Sequence, residues 1–419
     1  HRSGPLLIVL FLAAFGPYVI AGSLRTDHLF IYPFFLFTLA SIAIGTPSVL
    51  RLRPAGDIKL LLILVFLLVG GVTLLFRTYQ NFRQLLGAVE NYLQPIAVII
   101  IVGTLIAGHN DNDLRRLSIR LIKLYIALLM INAVVAAGSL SLTLSGREDL
   151  VSILLGPFWG KAGPDQLSTA EKALAGFRFS GIFDQPYEAG LHHSFGLLLI
   201  IFMIRLEERT PITSDYLRLL VVAAGGLLSF SKVIIFGGIP FLIFYLLWEK
   251  WLGKLFRNKL LAAIIIVSII VGGSAFAWFF NRFGELWTST GLIPTLIGTR
   301  LLRADSAVLI VAQEVMESSP LLGLGFGAFT TYDNAYLEYW AQGGVFAIAF
   351  YVVILAVLGW AGVREYGAPQ ARFYILVSLF VILAGVGAPV LTANRFTVVF
   401  WTLMTIFFTS DALRRQSKV

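Results

Sequence analysis

Pro320-Leu-Leu-Gly-Leu-Gly-Phe-Gly-Ala-Phe-Thr-Thr-Tyr-Asp-Asn-Ala-Tyr-Leu-Glu-Tyr-Trp-Ala-Gln-Gly-Gly344 continues, without a charged residue, as an apolar run to Trp360. A glycine-punctuated polar segment thus passes into one of the length, about 20 residues, that a helix needs to cross a bilayer. Backbone entering hydrocarbon must satisfy its own N–H and C=O groups, so the run predicts an α-helix. Asp333, Asn334 and Glu338 stand at its polar mouth, where ionisable side chains are costly and imply a partner or a function.

The same grammar recurs along the chain. Of 419 residues, 58% are hydrophobic and 13% charged, too few polar groups to cover a soluble protein of this size. Apolar segments of spanning length lie at about 5–22, 29–50, 58–75, 93–108, 118–144, 188–204, 216–230, 232–248, 259–280, 333–360, 371–391 and 396–411. The expected fold is one all-α polytopic membrane domain over residues 1–419, with about twelve transmembrane helices and both termini on one side. The opening residues do not read as a cleavable signal peptide.

Lysine and arginine set the orientation. With the termini in the cytoplasm, inside loops hold Arg51, Arg53 and Lys59; Arg115, Arg116, Arg120 and Lys123; Arg205, Arg209 and Arg218; Lys250, Lys254, Arg257 and Lys259; Arg364 and Arg372; and Arg414, Arg415 and Lys418. With Arg2 these make 20 of the 32 basic residues. The net charge of +9 is therefore a topological signal with some attraction to anionic lipid, and nucleic acid is not an expected partner.

Two long outside loops result, at 145–187 and 281–332, and long ordered loops are usually functional. Within the second, Leu301, Ala304, Val308, Val311 and Val315 recur at helical spacing, while Arg300, Arg303, Gln313, Glu314 and Glu317 fall largely elsewhere on the wheel. Residues 300–319 thus predict an amphipathic helix on the membrane surface. Residues 77–94 are a weaker candidate of the same kind.

Four polar groups converge on the outer side: Arg178 to Glu188, including Asp184 and Gln185; Ser229-Phe-Ser231-Lys232 at a tight turn; Arg300 and Arg303; and Asp333, Asn334 and Glu338, with Tyr336 beside them. Arg and Lys there suit a lipid-linked pyrophosphate, Arg as a fork and Lys as a point charge. Fixed cations would stabilise the charge of a departing pyrophosphate, and Asp333 would accept a proton from an attacking sugar hydroxyl. The nearby glycines would let backbone approach a substrate closely. The plainer readings are snorkelling anchors for the cations and helix N-caps for Asp184 and Asp333. His192 and His193 lie inside a span without a nearby carboxylate, which favours a core or lipid-facing role. Cysteine is absent and no His pair has helical zinc-ligand spacing, so neither a metal nor a cofactor is expected.

The order Arg178-x-Ser-Gly-x-Phe-x-x-Pro186, Ser231-Lys232, Arg303, Pro320-Leu-Leu-Gly-Leu-Gly and Asp333-Asn-x-Tyr-Leu337 resembles the O-antigen ligase/polymerase superfamily, over roughly residues 170–350. The resemblance implies a GT-C-like fold and a metal-independent, inverting glycosyltransferase at the periplasmic face of the bacterial inner membrane. Its donor and acceptor would be undecaprenyl-pyrophosphate-linked glycans, with a chain-length regulator as a further partner. Arg178 matches the donor-binding Arg. Lys232 stands where a Ser-Arg pair is usual, keeping the charge and losing the fork, and Asp333 stands where the ligases carry a His. That departure favours a Wzy-type polymerase over an O-antigen ligase acting on lipid A-core. Arg178, Lys232, Arg300 or Arg303, and Arg395 would hold pyrophosphate; Asp333, Asn334 and Glu338 would serve catalysis; Asp184, Gln185 and Tyr336 would line the acceptor side. A transporter or flippase of a lipid-linked sugar or small anion is the rival from another class, and a scaffold the third option.

Overall fold

The computed structural model describes residues 3–20, 24–44, 55–76, 82–160, 167–251, 307–328, 334–364, 369–392 and 394–416. The expected span at 259–280, together with Arg300, Arg303 and Asp333, lies outside the described residues.

The helices are α1 (Ser3–Ala13), α2 (Thr26–Ala43), α3 (Ala55–Phe76), α4 (Phe82–Ile106), α5 (Asp111–Leu144), α6 (Glu148–Leu155), α7 (Thr169–Ala175), α8 (Pro186–Leu206), α9 (Thr213–Leu228), α10 (Ile239–Trp248), α11 (Ala307–Ser318), α12 (Ala335–Arg364), α13 (Pro369–Ala384) and α14 (Asn394–Gln416). Sheet among the described residues is one short antiparallel pair, β1 (Tyr18–Ile20) and β2 (Leu24–Arg25). α2, α3, α4, α5, α8 and α12 are each long and apolar enough to cross a membrane. Many of their outward side chains are bare: Leu36, Phe37, Leu67, Leu74, Ile131, Val134 and Trp360 are all more than half exposed. A belt of that kind belongs in lipid, so the chain is a membrane protein whose described residues are predominantly helical.

α8 is the central pillar, buried along nearly its whole length. It packs against α5, α9, α10, α13 and α14. Small residues let the backbones close in: a β-carbon at Gly190 would strike Ser231, and one at Gly238 would strike Ser194. His192 and His193 are fully buried here, His192 on the Tyr125 hydroxyl (2.9 Å) and His193 on Asn132 (3.1 Å). They take the core role.

Three expected elements differ in detail. The first run, 5–22, is helical only to Ala13, because Gly16-Pro17 turns the chain into the β1–β2 hairpin. The weak surface-helix candidate at 77–94 is, from Phe82 on, the first part of α4 and continuous with the span. The 145–187 loop folds into α6, a 3₁₀ turn and α7, around a small core of Ala136, Val151, Trp159, Leu174 and Phe179.

The described part of the amphipathic helix, α11, buries Val311 and Val315 against Leu337 and Ala341 of α12. Leu309, Ile310 and Met316 are exposed, as suits a helix at a lipid surface. Beyond it the glycines do specific work. Gly323, Gly325 and Gly327 have φ of +73°, +88° and +72°, a region that side chains disfavour. They thread the loop along α12, which breaks at Gly344 (φ 64°, ψ −158°). The carbonyls of Ala341 and Gln342 accept from Leu324 N–H (2.7 Å) and Gly325 N–H (3.0 Å). The close approach that the sequence assigned to a substrate is made here by the protein's own backbone.

Candidate functional site

The helix ends sort into two groups. One end of the bundle gathers residues 17–20, 24–27, 178–188, 229–232, 334–338, 385–392 and 394–395; the opposite end gathers 110–115, 205–215, 249–251, 372 and 410. The first holds most of the expected site.

The loop leading to α8 is pinned from several sides. Asn132 of α5 donates to Ser180 O (3.3 Å) and accepts from Ile182 N–H (2.8 Å). Trp159 Nε1 donates to Gly181 O (2.9 Å), and Phe179 N–H to Leu228 O (2.8 Å). This brings half-buried Arg178 to the α9 turn, its Nε donating to Ser229 O at 3.4 Å. Lys232 follows that turn and begins a π-helical segment, Val233–Gly238, that leads into α10. Single-turn π segments frequently mark functional positions. Phe230 has φ +48° and Ser231 Oγ accepts from Val233 N–H (3.2 Å), so the turn is held sharply. The first two expected groups therefore meet.

The fourth group reaches them through the turn before α14. Ala335 N–H donates to Gly385 O (2.8 Å), and the Thr392 hydroxyl donates to both oxygens of buried Glu338 (3.2 and 3.3 Å). Three residues on, Arg395 N–H donates to Glu188 Oε1 (3.1 Å).

Several expected site residues carry structural duties as well. Arg395 is 1% exposed, and its guanidinium donates to Ile182 O (3.1 Å) and Phe158 O (2.8 Å) and lies 5.6 Å from the Tyr18 ring centroid. It reads as a strut rather than an open pyrophosphate ligand. Asn334 accepts from Leu337 N–H (3.1 Å) and so caps α12, the role the sequence offered to Asp333. The N-cap residue of α8 is Gln185, without a side-chain cap bond, while Asp184 accepts from Tyr18 OH (3.0 Å). Tyr336 OH donates to Ile382 O (2.8 Å).

Sequence reasoning missed a second buried cluster at the same end. Arg25 grips Asp27 with two bonds (3.0 and 3.1 Å), Gln94 donates to Asp27 (3.2 Å), and His28 lies 2.5 Å from Glu90. Burial works against the Arg25 charge, but Asp27, Tyr18 and Glu90 outweigh it and hold its pKa well above the usual value. Burial, aided by Asp184, pushes the Tyr18 phenol up. The available signal was Arg25-x-Asp27-His28 at a span's start, with Glu90 and Gln94 one helical turn apart on α4.

The opposite end is a set of ion pairs: Lys123–Glu207 (2.7 Å), Arg209–Glu207 (2.6 Å), Arg209–Asp215 (2.5 Å) and Arg372–Glu249 (2.9 Å), with Arg205 also on Glu249. A cleft of about 550 Å³ opens there, lined by Asn112, Arg115, Arg116, Ile119, Leu206, Glu207 and Arg209. It lies away from the expected chemistry. Among the described residues no group of three His, Cys, Asp or Glu is arranged to hold a metal ion. No protein-family model matches this chain, and no curated protein matches it.

Proposed function

We propose that the chain is a membrane glycosyltransferase of the polysaccharide-polymerase kind, acting at the periplasmic face of a bacterial inner membrane. The observation that carries this reading is the meeting of Arg178, the Ser229–Lys232 turn and the Asn334–Glu338 start of α12 at one end of the bundle. Arg178 and Lys232 would face the pyrophosphate of the lipid-linked donor, joined by Arg300 and Arg303. The acceptor hydroxyl oxygen bonds to the anomeric carbon, the bond from that carbon to pyrophosphate breaks, and the hydroxyl proton passes to the Asp333 carboxylate. Cations at the leaving group lower that barrier by matching the charge it develops. Purified protein with a lipid-linked repeat unit is expected to yield a ladder of longer glycans. Wild-type polymerisation by both Arg178→Ala and Asp333→Ala would remove this assignment. In cells, loss of a polymerase leaves lipid A-core with a single repeat, whereas loss of a ligase leaves it bare.

The break in α12 favours the transport reading on its face, because transporters bind substrates and ions at discontinuous helices. Two carbonyls it frees, Ala341 and Gln342, already accept from Leu324 and Gly325, so they are not open to an ion. Flux of a lipid-linked sugar through proteoliposomes, unaffected by acceptor glycan, would restore that reading.

A further inference from the structure

α5 carries an exposed stripe from Arg116 to Val134. Arg116, Arg120, Lys123, Ala127, Ile131 and Val134 follow one another at steps of three or four residues, and all are exposed. The opposite face, from Leu114 through Tyr125 to Ala136, is buried in the bundle. The stripe is thus cationic over two turns and apolar beyond them. No charged residue stands between Lys123 and Leu144, a stretch about 30 Å long at the rise of an α-helix, which matches the hydrocarbon core of a bilayer. Ile131 and Val134 therefore face acyl chains, while Arg116, Arg120 and Lys123 stand in the headgroup layer on the same side of the helix.

The cleft of about 550 Å³ at this end of the bundle shares Arg116 with the stripe. Its lining holds three arginines, Arg115, Arg116 and Arg209, against one carboxylate, Glu207. Both oxygens of Glu207 are already engaged, one by Lys123 (2.7 Å) and one by Arg209 (2.6 Å). Arg115 is held as well, on Leu206 O (2.8 Å) and on Glu208 (2.8 Å). Among the described residues no carboxylate lies within ion-pair distance of Arg116 or Arg120. The cleft thus keeps an uncompensated positive charge where its wall turns towards lipid. A free anion would use only the cations; the apolar continuation of the same face is what an acyl chain requires.

We propose that this cleft binds the phosphodiester headgroup of an anionic phospholipid. Arg116 and Arg120 hold the phosphate, with the Asn112 amide beside it, and an acyl chain lies along Ala127, Ile131 and Val134. The bound lipid ties α5 to the turn that follows α8. Under the orientation expected from lysine and arginine, it comes from the cytoplasmic leaflet, where anionic lipid meets basic clusters. The site stands at the end away from Arg178 and Lys232, and the inference does not depend on glycosyl transfer.

Spin-labelled phosphatidylglycerol and phosphatidylcholine, compared in phosphatidylcholine bilayers holding the purified full chain, test it. Wild-type protein is expected to immobilise phosphatidylglycerol in preference. Arg116→Gln is expected to lower that preference about fivefold, the effect of one surface cation on an anionic lipid, and adding Arg120→Gln to abolish it. Lys250→Gln removes an exposed charge just after α10, at the same end of the bundle, and should leave the preference intact. Equal loss in Lys250→Gln, or no loss in the double variant, would mark diffuse attraction and overturn the proposal. Excess inorganic phosphate, at ionic strength matched with chloride, should not displace the lipid; displacement would mark a site for free anions and overturn it too. A photoreactive phosphatidylglycerol needs no variant, so it decides the matter even if the substitutions impair folding. It is expected to label residues 111–127 of wild-type protein, and labelling confined to other segments overturns the proposal.

Discussion

Arg395 shows how one side chain changes meaning between sequence and structure. As a charge at an outer turn it suits a phosphate; in place, it ties the 3₁₀ turn at Phe158 and the loop at Ile182 to α14. Arg395→Ala is expected to lower stability by about 3 kcal/mol, because the buried carbonyls of Phe158 and Ile182 lose their donor together. Thermal unfolding in detergent reads this, and a variant that loses activity with unchanged melting would return Arg395 to the ligand role. Lys232 is half-buried at the head of a π-helical segment, in the turn that Arg178 reaches through Ser229 O. Lys232→Ala is expected to cut polymerisation by purified protein about 100-fold, as removal of one charge-stabilising donor does elsewhere. Lys232→Arg should retain most of the rate, since the charge is kept.

At the scale of elements, the break in α12 and the loop that fills it act as one unit. Gly344 has a positive φ, and a β-carbon there would collide with the carbonyl of Leu321. Gly344→Ala is therefore expected to cost at least about 2 kcal/mol and to loosen the Pro320–Ala328 loop, read as faster amide exchange at Leu324 and Gly325. Trp340 Nε1 donates to Pro320 O (3.0 Å) and Thr73 Oγ1 accepts from Phe326 N–H (2.6 Å), so this unit also spans α12 and α3. At the opposite end Glu249 binds Arg205 and Arg372, whose guanidiniums lie over Trp251 (4.8 Å) and Trp248 (5.7 Å). That clamp joins α8, α10 and α13.

At the scale of the whole molecule, the ion-paired end ties stability to acid. Burial alone would raise the Asp215 and Glu207 carboxyls. Hydrogen bonds and charge from Arg209, with Ile212 N–H and Arg218 on Asp215 and Lys123 on Glu207, win and hold both below their usual range. A folded-state pKa below the unfolded one contributes stability above the ordinary carboxylate range, about pH 4, and that stability is lost as pH falls through the folded value. Melting temperature should therefore fall with acid below about pH 4. Arg209→Ala should lower it at neutral pH and flatten the acid slope; an unchanged slope would mean these pairs contribute nothing.

The helical membrane class was legible in the chain because the bilayer leaves apolar backbone few alternatives: the runs at 58–75, 118–144 and 188–204 fall on α3, α5 and α8. The sequence expected Arg178 and the Ser229–Lys232 turn on one side of the membrane, and they lie at one end of the bundle. Burial and partner choice were not. Nothing local in Arg395 or Tyr336 says which distant carbonyls each would bind, and nothing local in Glu188 says that it would accept from Arg395 N–H. Those pairings join residues far apart in the chain, and hydropathy carries no information about which helix ends become neighbours. The sequence by itself determined a helical membrane bundle with polar groups collected at its ends. Only tertiary packing decided which partners those groups bind, because a side chain's role follows from the donors and acceptors that surround it.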